Sequence, residues 1–271
     1  MSQQQISKQA AKEKKSKMKY LGMSVITIVV AIALWQILVK TGVISSSFLP
    51  APSEIVQTFF EKVNSPNPEG ATLQVNILAS LKVALTGFLM AVVIGIPLGL
   101  IMGWFEPIDR LVRPLFEVIR PIPPIAWIPL TILFLGIGLK AKVFIIFFSA
   151  FVPCVINAYT GIQLTNRTLI NVAKTYGAGS FEIFWRVGVP SSLSMVFAGI
   201  RIALGLSWTT LVAAEMLAAD AGLGYMILMG RQFARPDIIV LGMVIIGAIG
   251  AVFSGALSFL EKKLDRGREK K

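Results

Sequence analysis

The sequence predicts an all-α integral membrane protein with six transmembrane helices. Its mean hydropathy is +0.74, and charged residues make up only 15% of the 271 residues, whereas a soluble globular domain carries about 25%. The apolar residues also occur in runs that approach the roughly 20 residues a helix needs to cross a bilayer. These two observations indicate one membrane domain rather than a soluble domain with a large core.

Composition also excludes several classes of function. The formal net charge of +12 is compatible with nucleic-acid binding, but the Lys and Arg residues crowd beside apolar runs and form no separate basic domain. The chain has no histidine, and its one cysteine, Cys154, lies in an apolar run, which excludes an intrachain disulfide and a multi-cysteine metal site. We therefore predict no catalytic residue, no metal ligand and no nucleic-acid partner.

The apolar runs predict the six spans in order. A basic arm, residues 1–20, precedes the first span, which is too long for the apolar core of a usual signal peptide. A short amphipathic stretch, residues 55–63, is predicted to form an interfacial helix. The predicted spans are residues 21–39, 85–103, 115–139, 143–162, 193–217 and 238–260, followed by a basic tail, residues 261–271.

Two of these spans contain residues that break helices in water. Gly95, Pro97 and Gly99 lie inside the second span, where neighbouring groups of a bundle can satisfy the freed backbone. The third span is expected to be kinked or broken, because each proline removes a backbone donor and crowds the preceding turn. Its prolines are Pro121, Pro123, Pro124 and Pro129.

The basic residues predict the orientation in the membrane. Six spans put both termini on one side, together with the polar interval 163–191 between spans four and five. That side carries about three times as many Lys and Arg residues as the other, and short cytoplasmic segments are the ones enriched in these residues. We therefore expect both termini and the interval 163–191 to face the cytoplasm, with residues 21–260 as one membrane domain.

The interval 163–191 has the pattern of a folded unit. Thr165 or Asn166 is placed to cap a helix through residues 169–176. Gly177 then permits a left-handed turn, which a residue with a side chain would resist.

An apolar cluster follows this turn, and Pro190 is predicted to end the unit before the fifth span. Such a cluster should not be left in water, so either the bundle or a soluble partner must cover it. Its members are Phe181, Ile183, Phe184 and Trp185.

Within this unit the sequence resembles a motif of a known family. The permease subunits of binding-protein-dependent ABC importers carry a cytoplasmic loop of the form E-A-A-x3-G-x9-I-x-L-P. The spacing is complete in this chain, although an asparagine replaces the glutamate and valines replace one alanine, the isoleucine and the leucine. The matching positions are Asn171, Val172, Ala173, Gly177, Val187, Val189 and Pro190.

The resemblance covers roughly residues 45–260, through segments such as FLPAPSEIV, AWIPLTILFLGIG and AGIRIALGLSWTTLVAAEML. These segments are similar to the subfamily that imports taurine, other alkanesulfonates, nitrate or bicarbonate. The resemblance implies the six-helix architecture of type I ABC importer permeases. It also implies a small anion as the transported solute, with taurine or another organosulfonate favoured and nitrate, bicarbonate or another small solute as the alternative.

The resemblance further implies a coupling helix within residues 171–182 that docks into a groove of a cytoplasmic ATPase subunit. We name the interval 163–191 the coupling loop. Its docked face would consist of aromatic and small residues, with Gly177 letting two backbones approach. The residues implied in coupling are Asn171, Val172, Ala173, Tyr176, Gly177, Phe181, Glu182, Val187 and Pro190.

The partners follow from the same resemblance. The importer would contain two ATPase subunits, a second permease copy in a homodimer and an extracytoplasmic substrate-binding protein, in a bacterial inner membrane. ATP and Mg would be bound by the ATPase, because this chain has no G-x-x-x-x-G-K-[ST] loop, and the chain itself would bind no cofactor and be no enzyme. A self-sufficient secondary transporter is the rival of another class, although the spans lack the cluster of buried carboxylates that ion coupling often uses.

The fifth span carries the candidate gate residues Arg201, Ser207, Trp208 and Glu215. Arg201 and Glu215 lie fourteen residues apart, roughly 21 Å along a helix, so they cannot pair. Each is a candidate for the translocation path, or for snorkelling or a structural hydrogen bond. Small residues give this span a face for close packing, either at a dimer interface or inside one subunit. They are Gly199, Ala203, Gly205 and Ser207.

Overall fold

The computed structural model describes residues 3–68, 70–218 and 220–268, and within these ranges it contains helices and no strand. The basic side chains of the arm before Tyr20 and of the tail after Phe259 lie outside the described ones. The helices are α1 Gln3–Lys40, α2 Pro52–Asn64, α3 Leu73–Trp104, α4 Glu106–Ile119, α5 Ile128–Leu135, α6 Leu139–Gln163, α7 Arg167–Thr175, α8 Ser180–Ile183, α9 Val189–Ala218, α10 Leu223–Gln232 and α11 Pro236–Arg268.

Among the described residues, five helices are long and apolar enough to cross a membrane, and a sharply bent pair brings the number to six if it counts as one span. The predicted all-α membrane fold is therefore confirmed. The second span is longer than predicted, because α3 begins at Leu73 rather than near residue 85. Its first turns carry polar residues that the sequence alone places outside the bilayer.

The bent pair is the predicted third span. Helix α4 ends at Ile119, a 3₁₀ turn covers Pro124–Trp127, and α5 leaves at 85° to α4. The break falls at Pro121, Pro123 and Pro124, where missing backbone donors and fixed φ angles prevent a continuous helix. A break within this span is therefore what the prolines predict and what the structure contains.

Helices α3 and α6 form the most extensive contact of the bundle. A small residue stands at every fourth position on the facing side of α3, so the two backbones approach closely. A methyl group added at Gly87 would lie 2.8 Å from the Val143 carbonyl, and one added at Gly95 would lie 3.0 Å from the Cys154 Cβ. The stripe consists of Gly87, Ala91, Gly95, Gly99 and Gly103.

Helix α9 also packs on α6, and this contact uses much of its small-residue face. Gly199 faces Asn157 of α6, and Ala203 is fully buried in a cluster with Ala91 and Ala150. A Cβ at Gly205 would meet no atom within 4 Å. Gly199 and Ala203 therefore serve packing inside one subunit, whereas Gly205 lies on an open surface.

Helices α2, α10 and the start of α11 close one end of the bundle, which we call the far end; the opposite end, which carries the coupling loop, is the loop end. Thr58 of α2 donates to Asp237 of α11 at 2.7 Å. Arg235 donates to the same carboxylate at 2.7 Å and to Glu61 at 3.1 Å. One guanidinium thus ties the second helix of the chain to the last.

The glycine stripe generates a first prediction. Gly99→Leu should lower the melting temperature of the detergent-solubilised chain by about 5 °C or more, because overpacking a buried helix contact costs about 1–3 kcal/mol or more. Gly247→Leu is the matched control, since a Cβ there meets nothing within 4 Å. Equal melting temperatures for the two variants would contradict the proposed role of the stripe.

Candidate functional site

The coupling loop begins with a capped helix. The Asn166 side chain accepts a hydrogen bond from the Thr168 amide at 2.8 Å, as an N-cap residue does. Helix α7 ends at Thr175, where the Gly177 amide donates to the Lys174 carbonyl at 2.9 Å and the Ala178 amide to the Ala173 carbonyl at 3.1 Å. These two bonds form a Schellman motif.

Gly177 supplies the backbone geometry of this motif. Its φ of +80° lies in the left-handed region, which residues with side chains adopt only at a cost. A Cβ added here would meet nothing within 4 Å, so the glycine is required by its φ angle and not by a neighbour in this chain. The sequence also predicts that Gly177 lets a second backbone approach closely, and that backbone would belong to a partner protein.

The second half of the loop is anchored on the bundle. Ile183 and Phe184 are buried, and the Phe184 ring lies 5.8 Å from Trp104 and 5.6 Å from Phe105. The Trp104 indole also donates to the Ser180 hydroxyl at 3.3 Å. The loop therefore has a fixed root at the junction of α3 and α4.

The helix predicted to end before Gly177 is α7, and α8 begins at Ser180, so the interval 171–182 holds the end of one helix, a turn and the start of the next. One prediction about this loop is wrong. Pro190 does not end the unit, since the chain is helical from Ser180 to Leu217. A π turn over Phe184–Gly188 precedes the proline, and its widened hydrogen-bond pattern accommodates a residue without an amide proton.

The outer side of the loop carries a row of exposed apolar side chains, which we call the coupling face. Tyr176 is 88% exposed and Phe181 65%, although side chains of this kind are normally covered. Among the other predicted coupling residues, Ala173 and Val187 are half-buried, while Asn171, Glu182 and Pro190 are exposed. The coupling face consists of Leu169, Val172, Tyr176, Phe181 and Trp185.

The four predicted gate residues are not brought together. Arg201 and Trp208 line a groove of about 240 Å³ between α9 and α11, where the Trp208 indole donates to the Ile246 carbonyl at 3.0 Å. Ser207 is buried one turn beyond Ala203, on the side of α9 that faces α3 and α6. Glu215 lies at the far end and has different neighbours.

Glu215 belongs to a buried group that we call the far-end polar cluster, formed by Asn76, Ser80, Glu215, Gly222 and Gly224. The Ser80 hydroxyl donates to the Glu215 carboxylate at 2.8 Å and accepts from the Leu223 amide at 2.8 Å. The Gly224 amide donates to the same carboxylate at 2.9 Å. Asn76 accepts from the Gly222 amide at 3.0 Å.

This cluster satisfies the free amides at the start of α10, where a carboxylate is also favoured by the helix dipole. Gly222 has a φ of +135°, and a Cβ on Gly224 would lie 2.7 Å from the Val212 carbonyl. Both positions therefore need glycine. The sequence left two roles open for Glu215, a place on the translocation path and a structural hydrogen bond. The arrangement matches the structural hydrogen bond.

Sequence reasoning missed most of this cluster. Asn76 and Ser80 stand one helical turn apart on a largely apolar helix, which was the available signal for a shared polar partner. Lys142 was missed as well: it is 4% exposed and lies 3.8 Å from Asp220, next to the same loop. Within the described residues, no group of acidic, histidine or cysteine side chains could hold a metal ion.

Comparison with known proteins finds a matching family model and similar sequences. A family model described as "Binding-protein-dependent transport system inner membrane component" matches residues 95–270, more than half of the chain. A putative ABC transporter permease protein of Methanocaldococcus jannaschii is 35% identical over 86% of this chain and 87% of its own length.

Two further relatives have named solutes. The taurine transport system permease protein TauC of Escherichia coli is 31% identical over 89% of this chain and 88% of its own length. The nitrate import permease protein NrtB of Synechocystis sp. is 31% identical over 87% of this chain and 86% of its own length.

The fold also matches a solved structure. An inward-facing structure of the MetNI methionine ABC transporter contains a chain that superposes with a TM-score of 0.58 at 19% identity, covering 71% of this chain and 94% of that one. At this identity the match concerns the fold alone.

The far-end polar cluster generates the second prediction. Ser80→Ala should lower the free energy of unfolding by about 1–3 kcal/mol, because it leaves the buried Leu223 amide and part of the Glu215 carboxylate without a partner. Hydrogen exchange should show faster exchange at the amides of Leu223 and Gly224 in this variant. Ser191→Ala, at an exposed position of α9, is the control, and unchanged protection of α10 in Ser80→Ala would refute the capping role.

Proposed function

The chain belongs to the family of inner membrane components of binding-protein-dependent transport systems, and we propose that its coupling face transmits ATP-driven motion from a cytoplasmic ATPase to a path for a small anion. As a permease subunit of an ABC importer it is not itself an enzyme. ATP and Mg would be held by the ATPase. The work of this chain would be to form the gated path.

The observation that carries the proposal is the combination of an exposed coupling face and a buried root. Phe181 and Trp185 are more than half exposed, while Ile183 and Phe184, between them in the chain, are buried. A segment with this alternation can bind a partner on one side and push on the bundle with the other. The expected arrangement has one ATPase on each of two permease copies, the copies forming a homodimer.

The same role supports a location and an orientation. The coupling face must meet a cytoplasmic ATPase, so the loop end would face the cytoplasm of a bacterial cell, with both termini on that side. The excess of Lys and Arg in the interval 163–191, the arm and the tail agrees with this orientation. The far end would then meet an extracytoplasmic substrate-binding protein.

A small anion is the proposed solute, and taurine or another organosulfonate is favoured over nitrate or bicarbonate. The support is the likeness to a taurine permease and a nitrate permease at similar identity. A sulfonate and a nitrate share a negative charge spread over several oxygens. Selection between them would lie mainly with the substrate-binding protein.

The third prediction tests coupling. Gly177→Val should lower substrate-stimulated ATP turnover by about tenfold or more, because a branched residue at positive φ costs about 1–3 kcal/mol and disrupts the turn. Gly177→Asn is the matched control, since asparagine tolerates this conformation. Both variants are co-expressed with the candidate ATPase, purified in detergent and assayed for its retention and turnover.

A second variant distinguishes the contribution of the coupling face from that of the turn at Gly177. Tyr176→Asp places a charge on the most exposed residue of the coupling face and should reduce ATPase retention without lowering the melting temperature of the permease. If Gly177→Val and Tyr176→Asp both retain and couple the ATPase as the wild type does, this loop is not its docking site. Transport by the purified chain alone would instead favour a self-sufficient secondary transporter.

The fourth prediction concerns the solute. Proteoliposomes containing the complete importer should accumulate labelled taurine in the presence of ATP, and excess ethanesulfonate should compete whereas excess nitrate should not. Accumulation of nitrate without taurine would transfer the assignment to the alternative anion. A variant lacking ATPase retention, Tyr176→Asp, serves as the background control.

A further inference from the structure

A cavity of about 210 Å³ lies between α4 and α6 towards the loop end. This volume exceeds the roughly 10–15 Å³ needed for one water by more than tenfold. Its walls include Met102 and Val155, but its chemistry comes from charged and hydroxyl side chains. We call it the arginine pocket, and its polar members are Asp109, Arg113, Glu117, Arg120, Tyr159 and Thr160.

Helix α4 turns its polar side towards this pocket and its apolar side outward. Leu111, Leu115 and Val118, on the opposite side, are 74%, 67% and 71% exposed. Polar residues of a membrane helix face inward when they pair with one another or line an internal polar space. Both arrangements occur here, because the charged residues of α4 pair with one another and also line the cavity.

Arg113 is held firmly within the pocket. Its guanidinium donates to Asp109 through Nε at 3.1 Å and forms an ion pair with it through Nη2 at 2.8 Å. The same group donates to the Tyr159 hydroxyl and lies 5.0 Å from the centre of the Tyr159 ring. Asp109 therefore neutralises Arg113, and Tyr159 fixes its plane.

Arg120 is held much less firmly. Its guanidinium lies 3.4 Å from both oxygens of Glu117, beyond the usual range for a charge-assisted hydrogen bond. About half of its side chain is exposed. A guanidinium offers five N–H donors in a planar fork, so Arg120 has donors available for a ligand in the pocket.

We propose that the arginine pocket is a weak subsite for a small oxyanion, such as a sulfonate or nitrate, on the loop-end side of the translocation path. Arg120 binds two oxygens of the anion through its fork, and the hydroxyl of Thr160 on the opposite wall donates to the third. This assignment rests on the proposed function only for the direction in which the anion moves. Binding itself is a property of this chain.

The balance of charge in the pocket favours weak, transient binding of an anion over tight binding. Asp109 and Glu117 offset Arg113 and Arg120, so the pocket has no large net positive charge. A conducting path needs binding strong enough for entry and weak enough for release. An oxyanion that displaces Glu117 from Arg120 exchanges one long contact for a shorter one, and the carboxylate returns when the anion leaves.

The test measures binding to the permease alone, without ATPase or substrate-binding protein. Saturation-transfer difference NMR on the detergent-solubilised chain reports millimolar binding of ethanesulfonate, with ethylammonium as the cationic counterpart. Wild type should give a saturable signal for ethanesulfonate and none for ethylammonium. Arg120→Gln should weaken binding by about tenfold, the factor equivalent to loss of one charged hydrogen-bond partner.

Arg110→Gln is the matched control. Arg110 lies on the same helix, is 77% exposed, pairs with Glu106 at 2.5 Å and does not line the pocket. Its substitution should leave ethanesulfonate binding unchanged. Arg120→Lys, which keeps the charge but loses the fork, should give intermediate binding, and Thr160→Val offers a second variant that leaves all the charges in place.

Three outcomes would overturn the proposal. These are no saturable ethanesulfonate signal in the wild type, equal binding of ethanesulfonate by wild type and Arg120→Gln, or equal binding of ethylammonium and ethanesulfonate by the wild type. A fourth arm adds phosphatidylglycerol to the micelles. If this lipid binds at the pocket and ethanesulfonate gives no saturable signal, the site holds a lipid headgroup. Failure of coupling by Gly177→Val would leave the NMR result untouched, so the two proposals fail separately.

Discussion

The close contact between α3 and α6 is the constraint on which the rest of the bundle depends. Because Gly87, Gly95 and Gly99 have no side chain, the two backbones meet, and in lipid such packing replaces the hydrophobic driving force that is missing between apolar helices. Helix α9 then packs on α6, and α10 is tied to α3 and α9 through Ser80 and Glu215. Every proposed functional part is attached to this pair of helices.

The sequence was sufficient for features that depend on local chemistry. The apolar runs predicted the membrane fold, and Asn166 and Gly177 predicted the two ends of α7, because caps and left-handed turns are set within a few residues. The prolines after Arg120 predicted the break in the third span. In each case the residue that carries the prediction also forms the feature.

The features that could not be predicted depend on partners far apart in the chain. Ser80 and Glu215 are separated by 135 positions, so the spacing of Asn76 and Ser80 signals a polar partner but does not identify it. The helical run through Pro190 likewise depends on a π turn anchored by Phe184 against Trp104. For Arg201 and Glu215 the sequence left a path role and a structural role open, and only the fold shows that Glu215 belongs to the far-end polar cluster while Arg201 lines the groove between α9 and α11.

Phe105 connects the coupling loop to the arginine pocket. It is the residue before α4, and its ring lies 5.6 Å from Phe184 at the root of the loop. In the proposed mechanism a force on Phe181 or Trp185 would reach the start of α4, while α6 would be held by its contact with α3. Since the arginine pocket lies between α4 and α6, a displacement of α4 would change the distance between Arg120 and Thr160. Motion at the coupling face and affinity for an anion would then vary together, through two aromatic rings in contact.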